Sequence, residues 1–195
     1  MDPKDVRGMV VSNYGGVRID GTNATIIGNK QGEFIADRNG ISRVWMDHAV
    51  WPFMTTRLYL DQTGDIGVLL EKVDYFKDAQ TERGTAIDED WNDSLGMRQK
   101  TADGSIYAGT ILEHLLVEHL CAFYEVGEHN EMRLRGADWN DALDMAAENG
   151  ESVAFTCAYA GNLKQLADCL LLLQERLSCT EIELIEEMEV LLKDD

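Results

Sequence analysis

The chain has 195 residues, 45% hydrophobic and 27% charged, enough to bury a core within one or two ordinary domains. Its formal net charge of −19 and sequence pI of about 4.4 repel nucleic-acid phosphates and anionic lipid, so neither is expected as a partner. No apolar run reaches the ~20 residues of a membrane span and no signal-peptide pattern opens the chain, so a cytoplasmic address is expected.

Residues 1–43 are rich in Gly, Asn and Thr, as in NYGGVRIDGTNATIIGNKQGEF, and lack helical periodicity. They read as a loop-rich leading segment with short extended pieces. No GxGxxG or GxxxxGK[ST] string is present, so the glycines suit turns rather than a phosphate cradle. From Val44 to Leu60 aromatic and aliphatic residues fall at helical spacing, with Asp47 as the expected N-cap, Pro52 in a first turn or kink, and Gly64 as the stop. The stretch from Asp78 to Gly109 is polar and turn-forming and is expected as an irregular surface excursion.

Ile111, Leu112, Leu115, Leu116, His119, Leu120, Phe123 and Tyr124 then mark an amphipathic helix that Gly127 should end, with His119 read as a satisfied core histidine. Leu163, Leu166, Leu170, Leu173 and Leu177 repeat within a helix over 154–177, and Ile182, Ile185, Met188 and Leu192 extend the pattern beyond Ser178. The fold class is therefore mainly α, with paired helices needing neighbours to cover their apolar stripes. Cys121, Cys157, Cys169 and Cys179 form no CxxC pair and are expected as reduced core thiols. Glu113–His114 and Glu128–His129 reproduce no HExxH spacing, so no metal is expected.

The chemistry concentrates in RLRGADWNDALDMA, where Arg133, Arg135, Asp138, Trp139, Asn140, Asp141 and Asp144 crowd together. A pyranose offers C–H faces that stack on indole and hydroxyls that bond carboxylates and amides, so this combination suits a carbohydrate. The same residues also fit an ordinary helix start, with Asp138 as cap and Asp141 and Asp144 complementing the helix dipole. A second polar and aromatic cluster comprises Asp37, Arg38, Arg43, Trp45, Asp47, His48 and Trp51, whose tryptophans equally suit core packing.

ADWNDALDM, preceded by YEVGEHNEMRLRG and followed by GESVAFTCAYAGN, resembles the core of glycoside hydrolase family 94. The resemblance extends in order through FIADRNGISRVWMDHAVWPF, YLDQTGDIGVLLEKVDYFKD and GTILEHLLVEHL, covering nearly the whole chain. It implies part of an (α/α)6 barrel, a six-hairpin toroid that is incomplete in these 195 residues: a leading segment at 1–43, then helical hairpins at 44–195 with the DWND active-site loop at 138–141.

The activity implied is inverting phosphorolysis of β-linked gluco-oligosaccharides of cellobiose, cellodextrin or β-1,2-glucan type, giving α-glucose 1-phosphate and a shortened acceptor. In that family pattern Asp141 is the general acid and Trp139 lines the glucosyl subsite. Asp138 and Asn140 hold the loop, and Arg135 joins them as a substrate-binding residue. Asp47, Trp45 and Arg38 are placed near the barrel mouth. No cofactor is implied; inorganic phosphate is the co-substrate, and a homodimer is expected of the full-length enzyme. The family's phosphate ligands and its RDSNQD string are absent, so the chain alone is expected to be inactive, with exposed helix faces. An (α/α)6 hydrolase and a noncatalytic carbohydrate-binding segment are the alternatives.

Overall fold

The computed structural model describes residues 3–30, 32–37, 39–92, 94, 96–136, 145–146 and 148–193. The first element, α1 (Pro3–Asn13), is a helix where the sequence suggests loops. Its apolar stripe is only Val6, Val10 and Tyr14, too short to register as periodicity, and it forms because Val10 and Tyr14 bury against α2 (Val50–Thr63). The rest of the leading segment matches expectation: a 3-10 turn at Tyr14–Gly16, then the antiparallel pair β1 (Ile26–Ile27) and β2 (Phe34–Ile35).

Helix α2 begins six residues later than the Val44 start that the spacing suggests. Pro52 lies in its first turn, where no N–H is missed. Asp47 does not cap it; Ala49 holds the cap position without a side-chain bond. Gly64 ends the helix in a left-handed conformation, φ 69°, its N–H donating to Leu60 O. A 3-10 turn at Ile66–Leu70 leads to β3 (Lys72–Asp74), which pairs antiparallel with β6 (Ala108–Thr110).

Between those strands lies β4 (Gln80–Glu82) paired with β5 (Ala86–Ile87) within the expected excursion. The excursion is not wholly superficial. Asp78 and Gln80 are buried, and Asp78 accepts hydrogen bonds from Ser42 N at 2.7 Å and Ser42 Oγ at 2.8 Å while pairing with the buried Arg18. A carboxylate so placed is tolerable only because both oxygens are engaged.

Helix α3 (Ile111–Ala122) is the axis of the fold. Thr110 caps it, its Oγ1 accepting from Glu113 N at 3.1 Å. The sequence suggests an amphipathic helix, yet every residue from Ile111 to His119 is buried, including Glu113, His114, Glu118 and His119. It ends at Phe123, before Gly127. Around it pack Phe53 and Leu60 of α2, Val68 and Leu69, and Leu166, Cys169 and Leu173 of α4 (Val153–Leu177). Ser152 caps α4 by accepting from Phe155 N, and Ser178 closes it at φ 54°. Beyond, only α5 (Met188–Leu192) is helical, with Met188 buried.

The helices outweigh the strands, roughly as a mainly α reading expects, although paired strands of two or three residues make the architecture mixed. No described helix is long and apolar enough to cross a membrane. The four cysteines are free, but only Cys169 is buried and Cys157 is exposed, so the expectation of core thiols holds unevenly. Trp51, Met54 and Leu58 of α2 are exposed, and Trp51 borders an open apolar groove shared with Met9, Ile27 and Phe34.

Candidate functional site

A two-residue ladder between β7 (Met132–Arg133) and β8 (Glu151–Ser152) forms the base of the site. Leu134 N donates to Gly150 O at 2.9 Å, so the chain leaves and returns at one place. The expected acid Asp141, with Asp138, Trp139, Asn140 and Arg38, lies outside the described residues. Arg135, Trp45 and Asp47 are described, and the fold brings the first two together.

Trp45 forms β-bridges with Arg135 and Gly136, and Gly136 N donates to Val44 O at 3.0 Å. A Cβ at Gly136 would sit 3.1 Å from that carbonyl, so close approach of the two strands favours glycine. The two clusters that are distant in sequence thus meet at the point where the chain runs into DWND.

The Trp45 ring stacks on His48, with centroids 5.3 Å apart and planes within 6°, and Arg43 Cζ lies 4.8 Å from its centroid. Arg43 in turn pairs with Asp37 at 2.5 Å. Trp45 is therefore packed by protein groups. Trp51, 54% exposed, presents the more open indole, and Asp47 orients it by accepting from its Nε1 at 2.7 Å.

Sequence reasoning overlooks three charged residues of the site. Glu125 shares its carboxylate between Arg83 and Arg135, the latter at 2.5 Å. Arg135 has φ 41°, unusual for a non-glycine residue. Beneath lies Glu118, whose Oε1 accepts from Asn23 Nδ2 at 2.5 Å while Oε2 has no partner. Burial pushes the Glu118 carboxyl up to about 8, so it holds a proton at neutral pH. Burial also pushes His48 down to about 4, leaving its imidazole neutral there.

Trp45, His48, Arg83, Glu118, Glu125 and Arg135 help line a cavity of about 20 Å3. One water molecule fits such a space; a sugar ring does not. The protonated Glu118 is thus buried below the surface. Trp45 Nε1, Asp47 Oδ1, His48 Nδ1, Arg133 Nε and Arg135 Nε are also buried without a hydrogen-bond partner among the described residues. Such a concentration of unmet polar atoms is uncommon away from functional surfaces.

Glu118 had a sequence signal, an ionisable residue inside the apolar run LLVEHL, whereas Glu125 and Arg83 sit in unremarkable turns and meet only through the fold. The expected metal-free pairs have other work. Glu113 accepts from Tyr75 OH, Tyr107 OH and Ile185 N, and His129 Nδ1 bonds Glu151 at 2.6 Å. Among the described residues no three His, Cys, Asp or Glu side chains are grouped to hold a metal.

No family model matches the chain. It is similar to the solabiose phosphorylase of Paenibacillus borealis, with 28% identity over 127 residues, 64% of this chain. The chain spans 13% of that relative's length.

Proposed function

We propose that these residues form part of the (α/α)6 catalytic domain of an inverting phosphorylase acting on β-linked gluco-oligosaccharides of cellobiose, cellodextrin or β-1,2-glucan type. The observation that carries this reading is the 127-residue similarity to a phosphorylase. The meeting of Arg135 with Trp45 at the approach to DWND supports it by placing a polar and aromatic surface beside the resemblance's acid segment.

In the proposed reaction an oxygen of inorganic phosphate bonds to the anomeric carbon as the glycosidic C–O bond breaks, with inversion. Asp141 passes its proton to the departing oxygen, yielding α-glucose 1-phosphate and a shortened acceptor. Phosphate is already anionic, so no second carboxylate is needed to activate water. Asp141 has to be protonated at neutral pH to serve as the acid. A cytoplasmic location and a homodimeric whole enzyme belong to the same proposal.

The test is to incubate the purified chain with phosphate and a panel of cello- and sophoro-oligosaccharides, measuring glucose 1-phosphate beside an Asp141→Asn control. No release is expected from the chain alone, and phosphate-dependent release lost in the control is expected from a form that also supplies the family's phosphate ligands. Phosphate-independent release of free sugar would point to a hydrolase, binding without turnover to a noncatalytic segment, and neither binding nor turnover would sink the carbohydrate reading.

A further inference from the structure

We infer that Glu125 is a positioning residue of this site: its carboxylate, divided between Arg83 and Arg135, holds Arg135 against the Trp45 strand and sets where the chain departs toward DWND. The inference rests on the functional reading only in taking Arg135 as a substrate-binding residue; the geometry stands without it.

Glu125 follows directly on α3, the most deeply buried element, and its N–H donates to Ala122 O at 3.1 Å. It is thus carried by the rigid axis of the fold. Its own carbonyl accepts from Arg133 N at 3.0 Å, tying the start of the site strand to the same turn. One carboxylate oxygen meets Arg83, the other Arg135, and neither has a second ion pair among the described residues. Arg83 is fixed from behind, its Nε donating to Asp20 O at 3.0 Å.

Arg135 needs this grip because its backbone is left-handed, a conformation that an L residue with a Cβ keeps only when its surroundings impose it. The Trp45 bridge holds one side of the strand and Glu125 holds the side chain. Charge makes the carboxylate hard to replace. Arg83, Arg133 and Arg135 all border the small cavity, and Arg133 has no ion pair among the described residues. An uncharged side chain at 125 would remove the counter-charge that Arg83 and Arg135 share.

Limited tryptic digestion of the whole chain tests this directly, since trypsin cuts after arginine. Glu125→Gln, nearly isosteric, is expected to raise cleavage after Arg135 at least tenfold while cleavage after Lys164 on α4 stays within twofold. Unchanged cleavage at Arg135, or a parallel rise at both sites, would overturn the proposal. The wild-type protein gives a second measure that needs no variant to fold. Phenylglyoxal is expected to modify Arg133 several-fold faster than Arg135, although about a third of the Arg135 side chain is exposed; equal or reversed rates would overturn it. If the wild type releases glucose 1-phosphate, Glu125→Gln is expected to raise KM for the oligosaccharide about tenfold with kcat within threefold. Absence of release both from the wild-type chain and from a form that supplies the family's phosphate ligands counts against the phosphorylase reading and leaves the protease and modification results to judge Glu125.

Discussion

Helix α3 and the Trp45–Arg135 ridge both bury polar groups, but they meet the cost differently. In α3, Glu113 is shared among two tyrosine hydroxyls and a backbone N–H, and His119 is held between Leu115 O at 2.7 Å and Asn162 at 3.0 Å. On the ridge, five polar atoms of Trp45, Asp47, His48, Arg133 and Arg135 are buried without partners among the described residues. Helix α3 is not wholly satisfied either, since His114 Nε2 and Glu118 Oε2 have no partner among the described residues, but its unmet atoms are fewer than the five of the ridge. Glu118 bridges the two, since it belongs to α3 yet lines the cavity under the ridge.

The largest expected effect falls on chemistry. In a form that also supplies the family's phosphate ligands, Asp141→Asn should lower phosphorolysis by about 10²–10⁴-fold while leaving the thermal transition within a degree or two, because general-acid catalysis carries that much rate. A matched loss of folding would make the segment structural and erase the distinction between the regions.

Next comes the satisfied network. Glu113→Ala strands Tyr75 OH, Tyr107 OH and Ile185 N together, and should cost about 3 kcal/mol in a urea titration. A change below about 1 kcal/mol would show that the α3 network is dispensable.

Titration separates the regions further. His48, His114 and His119 are each pushed down to about 4 by burial, so between that value and the usual 6.5 the native state binds fewer protons than the unfolded chain. Acidification through that window therefore destabilises. Glu118 is pushed up to about 8 from 4.5, so the native state binds more protons there and stability is lost as pH rises. Stability should peak near pH ~6.5, where the histidine gain is complete. Above it stability should fall with a slope of about 0.5–1 kcal/mol per pH unit as far as about pH 8, and that fall should be lost in Glu118→Gln. An unchanged alkaline slope in that variant would remove Glu118 from the account.

The smallest effects lie at the surface. Gly64→Ala should cost about 1 kcal/mol through its left-handed φ alone, since nothing crowds the added methyl beyond Arg176 at 3.8 Å. Asp47→Asn should change stability by less than about 0.5 kcal/mol yet alter Trp51 fluorescence, because the carboxylate orients an exposed ring. A large loss of stability there would place Asp47 in the core group instead.

Long, repeated apolar patterns were legible. The Leu163–Leu177 spacing and the Gly64 stop anticipated α4 and the end of α2, because periodicity and left-handed glycine act locally. Helix α1 was not legible, since its stripe is three residues long and acquires meaning only against α2. His119 is the satisfied core histidine that its place on the apolar face suggests, but the all-round burial of α3 was not legible: Glu113 and Glu118 look solvent-facing until tyrosines, an asparagine and a backbone group from elsewhere are found to meet them.

From the sequence alone came the acidic balance, the longer helical segments and the crowding of polar and aromatic residues in DWND, all properties of residue type and near-neighbour spacing. Only the tertiary structure decided that Trp45 lies against Arg135, that Glu125 is shared by two arginines, and that Glu118 is sealed and protonated below them. Those outcomes depend on which side chains the fold brings within hydrogen-bond reach and removes from water, and neither quantity is written in local spacing.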